Sequence, residues 1–384
     1  MTAGAPLAFT YARDVLAAEA TARASIIPAD RLSAAKVAIV ACTSYGPEAK
    51  AALKQSFDLL GGIGKLVKNK TVTVKLNLTG TNFSDVFDRP VGESFMTHPS
   101  TVIALGTLLF EAGAKRVRFV ESTQSRSELE KTLTLADWDV NALHALGTVE
   151  FENTRNLGKG KSYSHLTVPS GGYMFSSFDF NHCYGETDVM VSLAKLKQHI
   201  TAGVTLSMKN LFGLTPNALY GGEAGNEDAT AGRGPLHGGD NPAERAKFEK
   251  LELPGLKTRG ITTDAGHRVP HIVADICTAR PIQLSIIDGI TSMSGGEGPW
   301  CSHAATLKLT KPGVIIAGLN PVSTDAVGTA VMGYPNPRAE RGTHPFDHCD
   351  NHILLAEQTG VGTADLAKID VRGLSIAKAI YPYG

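Results

Sequence analysis

Short apolar runs alternate with stretches of helical periodicity along most of this chain. Residues 36–42, KVAIVAC, have the unbroken hydrophobicity of a strand buried on both faces. A helix is predicted over 47–60, closed by Gly61 and Gly62. A strand rich in β-branched residues follows over 71–77. Pro99 opens a helix that runs to 112 and ends at Gly113, and 116–121 is a third strand. Residues 125–146 read as helical, and Val149, Val168 and the aromatics from Tyr173 to Phe180 as further strands. The alternation resumes with a helix over 271–279, strands at 282–288 and 313–318, helices at 323–332 and 351–359, and a last strand at 369–372.

Strands separated by helices imply right-handed βαβ units and a parallel sheet. The expected fold class is therefore α/β, built as two Rossmann-like lobes with mostly parallel sheets and a long Gly-rich insertion. An N-terminal arm takes residues 1–35, a first lobe 36–190 and a second lobe 191–384. Within the second lobe, 214–270 loses its periodicity and fills with glycine, the texture of a lid or binding loop.

Composition narrows the function classes. Lys+Arg and Asp+Glu are each 37, so the chain lacks the basic excess of a nucleic-acid-binding protein. No apolar segment approaches the ~20 residues that span a bilayer, and the first residues lack the pattern of a signal peptide. Five scattered cysteines without a C-x-x-C pair fit reduced thiols and a cytoplasmic location, and give no ground to expect a zinc ribbon or an iron–sulfur cluster. No G-x-G-x-x-G follows a strand, no G-x-S-x-G elbow is present, and Gly61–Lys65 lacks P-loop spacing.

One segment departs from this even background. Residues 191–213, VSLAKLKQHITAGVTLSMKNLFG, hold Lys195, Lys197, His199 and Lys209, and no Asp or Glu occurs from Val189 to Gly222. Cations without local counter-charges favour an anionic ligand. An apolar run leads into the cluster, which places it at the end of a buried strand, where open α/β sheets bind ligands. Lys75 and Asn77 end the second strand, Glu121 the third, and Asp288 follows the run 282–287. The turn 294–299, SGGEGP, adds Glu297 and flexible backbone amides. The expected catalytic set is His199, Lys209 and Glu121. Lys75, Asn77, Lys195, Lys197, Asn210, Asp288 and Glu297 are the expected substrate-binding set. A second constellation, THPFDHCDNH, places His344, Asp347, His348, Asp350 and His352 close together. His344, His348, His352 and Asp347 suit a divalent transition metal. The same stretch also suits a polar loop whose Asp350 or Asn351 caps the next helix.

These segments together resemble the domain-of-unknown-function 362 family over about residues 36–375. The matching pieces are VTVKLNL, the helix after Thr97-His98-Pro99, Val120-Glu121-Ser122, Lys195 to His199, Thr205 to Gly213, Ile287-Asp288-Gly289, Gly295 to Pro299, 316–325 and Gly360-Val361-Gly362. Many members look as if they carry a ferredoxin domain or a twin-arginine export signal; neither pattern occurs in this sequence. A fainter likeness links His199, Ala202, Gly203, Thr205 and Lys209 to the lactate racemase family. There the histidine is catalytic, and a lysine ten residues on tethers a nickel-pincer nucleotide. The ten-residue spacing is kept, but Leu206-Ser207 replaces the Gly-Gly before the lysine, so the nucleotide is not expected.

The reading that follows is a cytoplasmic enzyme that transfers a proton on a small anionic carboxylate- or phosphate-bearing substrate, of racemase, epimerase or lyase type. A metal-dependent enzyme using 344–352 and a non-catalytic anion-binding module stand as alternatives. Neither nucleic acid nor membrane is an expected partner.

Overall fold

The computed structural model describes residues 35–80, 82–257, 262–301 and 306–384. Apart from Ala35, the expected N-terminal arm lies outside them. The chain is an α/β protein organised on one eight-stranded sheet. In chain order its strands are β1 Lys36–Ala41, β2 Thr71–Lys75, β3 Arg116–Glu121, β4 Val149–Asn153, β5 Val189–Lys195, β6 Leu284–Gly289, β7 Val314–Gly318 and β8 Asp370–Gly373. They lie in the order β8-β1-β7-β6-β5-β2-β3-β4. Every pairing is parallel except the two made by β7, which runs against both β1 and β6.

The sequence divides the chain into 36–190 and 191–384, but the strands of both segments join in this one sheet. β1 sits between β7 and β8, the last two strands to be made. The alternation of strand and helix is local and legible; which strands become neighbours is decided by side chains far apart in sequence.

The pleat sorts the apolar side chains into two cores. Val37, Ile39, Met190, Ile287, Val314 and Ile316 face one side. Ala38, Val40, Val72, Val74, Val191, Leu193, Ile286 and Ile315 face the other. Each core is closed by helices that turn an apolar stripe inward. The second is covered by α1 Pro47–Leu59, through Leu53 and Phe57, and α2 Pro99–Glu111, through Val102, Leu105 and Leu109. The first is covered by the short α3 Leu206–Lys209, by α4 Ala265–Ala279 and by α5 Pro321–Val331. A further helix, α6 His352–Gln358, packs on α4.

Two local readings differ from the structure for physical reasons. The predicted helix over 125–146 is broken at Asp137, whose φ of 58° lies in the left-handed region, so Leu129–Leu135 and Val140–His144 form separate helices. Helix α4 starts six residues before the predicted 271, because Asp264 caps it and Pro270 is accommodated inside it. Proline lacks the N–H that would bond four residues back, to Gly266. That carbonyl instead accepts the Asp350 amide at 2.8 Å. The Gly-rich segment is partly structured, with short helices at Asn217–Tyr220, Gly234–His237 and Pro242–Phe248. Residues 258–261 of it lie outside the described residues.

Beyond β5 the chain makes a two-residue hairpin, Gln198–His199 against Gly203–Val204, which carries His199. Gly203 has φ 71°, and a Cβ there would lie 2.5 Å from the Phe346 ring and 2.9 Å from the Pro345 carbonyl. Gly203→Ala is expected to destabilise the fold by about 1–3 kcal/mol through overpacking and backbone strain. Chemical denaturation of the variant against the parent measures it.

Candidate anion site at the strand ends

The parallel strands β6, β5, β2 and β3 are neighbours in that order, and their carboxyl ends carry the predicted residues. Asp288 pairs in register with Lys195, and Lys75 lies opposite Ser192 and Val120. The pleat sends Lys75 and Lys195 to opposite faces, so the cluster wraps over the sheet edge. Lys195 and Lys197 are fully buried and Lys75 nearly so, while Lys209 keeps 9% of its surface.

Each buried ammonium is handled differently. Lys75 Nζ lies 2.5 Å from Glu121 Oε1 and also donates to the Leu76 carbonyl at 2.8 Å. Glu121 additionally accepts the Leu78 amide at 2.6 Å and the Ser122 amide at 2.8 Å. A carboxylate so fully engaged holds Lys75 and the chain after β2. Lys195 donates to the Tyr45 hydroxyl and the Gly92 carbonyl, both at 3.0 Å, with Asp288 at 3.4 Å. Asp288 itself takes the Thr101 hydroxyl and the Ile290 amide. Lys197 has only carbonyls, of Phe95 at 2.7 Å and Glu297 at 2.9 Å. Burial lowers the pKa of Lys75 and of Lys195, and pushes Lys197 down to about 7.

Lys209 is the exception. Among the described residues it makes no hydrogen bond or ion pair, and its Nζ lies 4.6 Å from the centroid of the Phe212 ring. Burial pushes it down to about 8, with Glu297 opposing and Arg233 and Lys75 adding to the shift. It is positioned by Asp325, a fully buried carboxylate that accepts the Ser207 amide and hydroxyl and the Met208 amide at the start of α3. Burial raises Asp325 to about 7 despite these bonds.

His199 is nearly buried, and desolvation holds its pKa well below 6.5, so the ring is neutral at pH 7. Its Nδ1 accepts the Thr201 amide at 3.1 Å, which assigns the proton to Nε2. Glu297 lies 3.9 Å from that Nδ1 and accepts the Ile200 amide. Although burial opposes it, His199, the Ile200 amide and Lys209 hold the Glu297 carboxyl down at about 2. Asn77 donates to Asn210 at 3.0 Å, and Asn210 to Ser192 at 3.1 Å. Among the described residues the buried Asn77 side-chain oxygen has no partner.

Three further residues join this site. Arg233, from the Gly-rich segment, donates to the Ser122 hydroxyl at 2.6 Å and to the Thr215 and Gly213 carbonyls, and burial lowers it to about 10. His237, one turn on, packs edge-on against Phe212 and lies within electrostatic range of Lys209. His352 is the third. It is fully buried; its ring interacts with the Ala202 backbone, but among the described residues neither ring nitrogen makes a hydrogen bond of good geometry, and burial followed by the nearby Lys209 charge pushes it down to about 3. No spacing in the sequence ties these three to Lys209; only the long polar insertion hinted at the first two.

The predicted metal set does not converge. His352 turns inward to the lysines, whereas His344 is exposed and bonds Asp347 at 2.6 Å and the Gly384 carbonyl. His348 is exposed too. Asn351 caps α6, accepting the Ile353 and Leu354 amides. That cap fixes the turn, and the helix then carries His352 away from His344 and His348. The cavity lined by Phe83, Ser84, Ser125, Thr132 and Leu135, about 430 Å3, does not include the predicted site residues.

A family model for a domain of unknown function, DUF362, matches residues 72–330. The chain belongs to the DUF362 family. The match contains the strand-end residues from Lys75 to Asp325, but ends before His352. A thylakoid-associated protein of Synechocystis is 30% identical over 174 residues, which is 44% of this chain and 47% of that protein. The chain thus spans about half the length of this curated relative. No described helix of this DUF362 member is long and apolar enough to cross a membrane. At the position where the racemase likeness asks for glycine, Leu206 adopts φ 43°, a left-handed conformation that glycine reaches without strain.

Lys197 and Lys209 bind fewer protons folded than unfolded between their lowered values, about 7 and about 8, and the ordinary 10.5. Through these groups, stability rises with pH across that window. Lys209→Met is expected to flatten the rise and to raise stability near pH 7, since it removes an unpaired buried charge. Urea midpoints measured from pH 7 to pH 10 check both.

Proposed function

We propose that the strand-end cluster binds a small carboxylate- or phosphate-bearing anion and transfers a proton on it, chemistry of racemase, epimerase or lyase type. The observation that carries this reading is Lys209, a largely buried ammonium with no hydrogen bond or ion pair among the described residues. Among the described residues Lys75, Lys195, Lys197, Lys209 and Arg233 are set against Glu121, Asp288 and Glu297, with Glu93 also acting on Lys195, so five positive groups meet four negative ones when all are ionised. An anion at Lys209 offsets that excess.

The same burial tunes Lys209 for proton transfer, because an amine poised near the working pH serves as a base. In this reading the ammonium groups of Lys197 and Lys209 hold the substrate carboxylate; once Lys209 has passed its own proton to solvent it takes the proton from the carbon next to that carboxylate, and the C–H bonding pair moves onto the carboxylate oxygens. Lys197 and the Nε2–H of His199 stabilise that charge. His199 is thus a hydrogen-bond donor, and the base is the lysine. All five cysteines are free and buried, which fits a reducing, cytoplasmic setting. One observation favours the non-catalytic alternative: Glu121, Asp288 and Glu297 are each already engaged, so no carboxylate of the cluster is left free to act as a base.

The test has two arms. Phosphate, oxalate and malonate are titrated by calorimetry. Saturable binding is expected in the parent, at least tenfold weaker in Lys209→Met, with proton uptake at pH 8. A panel of 2-hydroxy and 2-amino acids is then incubated in D2O and read by NMR for exchange at C2. Exchange that falls about 10²–10⁴-fold in His199→Ala, with binding kept, supports catalysis. Binding without exchange across the panel supports the binding module, and equal binding by Lys209→Met sinks both readings.

A further inference from the structure

Two histidines of α4 meet Asp350, a residue of the loop that leads into α6. His267 and His271 are four apart on this helix and share a face, with ring centroids 4.0 Å apart. Asp350 Oδ2 lies 2.8 Å from His267 Nδ1 and 3.6 Å from His271 Nδ1. One donor atom from each of the three falls within 4.8 Å of the others. We propose that His267, His271 and Asp350 form a three-ligand site for a borderline divalent transition metal such as zinc, separate from the lysine cluster.

Two features of the local chain build it. Gly266 lets the loop come close: a Cβ there would lie 2.0 Å from the His348 carbonyl. Pro270 frees the Gly266 carbonyl, which takes the Asp350 amide at 2.8 Å and fixes that residue opposite the two rings. His271 Nδ1, the nitrogen 3.6 Å from Asp350, now bonds the His267 carbonyl at 2.7 Å; on metal binding it would exchange that proton and that bond for the cation.

The donor chemistry selects the metal class. Two imidazoles and one carboxylate suit zinc and its neighbours, whereas magnesium and calcium take oxygen ligands. Side-chain exposures of 35%, 13% and 25% leave the group open to solvent, so a fourth position remains for water or a ligand. At present a hydrogen bond joins His267 Nδ1 and Asp350 Oδ2; the cation would replace the proton they share. The bound metal would tie α4 to the loop that enters α6 at His352. The other His-containing group, Glu152, His182 and Cys183, is poorer: Glu152 already accepts the Lys159 amide, and burial raises the Cys183 thiol to about 12.

The test uses the full chain without a histidine tag, stripped with chelator and dialysed against Zn2+ or Co2+. About one equivalent per chain is expected by mass spectrometry, with visible cobalt d–d bands and a raised Tm. His271→Ala and Asp350→Asn should each weaken binding at least tenfold while circular dichroism stays unchanged, and His344→Ala/His348→Ala should bind as the parent does. Less than a tenth of an equivalent in the parent overturns the proposal. So does unchanged affinity in folded Asp350→Asn, or loss of binding in the His344→Ala/His348→Ala variant alone.

Discussion

A lysine removed from water must gain an anion, gain carbonyl oxygens or lose its proton, and the strand ends of this protein use all three. Lys75 has its carboxylate, Lys195 has a carboxylate at longer range with two oxygens nearer, and Lys197 has carbonyls alone. The series ends at Lys209, which has an aromatic face and a carboxylate only at a distance. Desolvation grows more poorly offset along this order. The chemistry proposed for the site is a consequence of where the compensation runs out.

Supporting residues make that imbalance tolerable. Asp325 spends its hydrogen-bonding capacity on the first turn of α3, so the helix bearing Lys209 is anchored although it is a single turn long. Arg233 closes over Ser122 and Gly213 from the Gly-rich segment, and brings further positive charge towards the cluster where a lid would have been expected to bring cover alone. The strain at Leu206, immediately before the anchored turn, is held by the same contacts.

The sequence made the strands and most helices legible because burial on both faces leaves unbroken apolar runs, and because Pro99, Gly113 and Gly61 mark helix ends. It made the strand-end lysines legible because they cluster locally without acids. Their partners were only partly legible: Glu121 and Asp288 stood at predictable strand ends, but their engagement depends on amides and hydroxyls that no spacing reveals. The expected metal residues do not come together at His352 for the opposite reason. Proximity in sequence suggested proximity in space, and the cap at Asn351 sends the side chain into the core instead. Helix α4 begins before the predicted 271 because the donor missing at Pro270 is matched by the Gly266 carbonyl, which is given to the Asp350 amide of a distant loop.

The sheet order has a consequence for how this chain is made. β1 is among the first of the described segments to leave the ribosome, yet both of its neighbours, β7 and β8, are among the last. Until they emerge, β1 exposes two unpaired edges and an apolar face, while β2, β3, β4 and β5 already have one another. The half of the sheet that ends at β4 is therefore able to form first, and the half around β1 must wait until β7 and β8 are made, so a chain truncated before β7 leaves β1 without a partner.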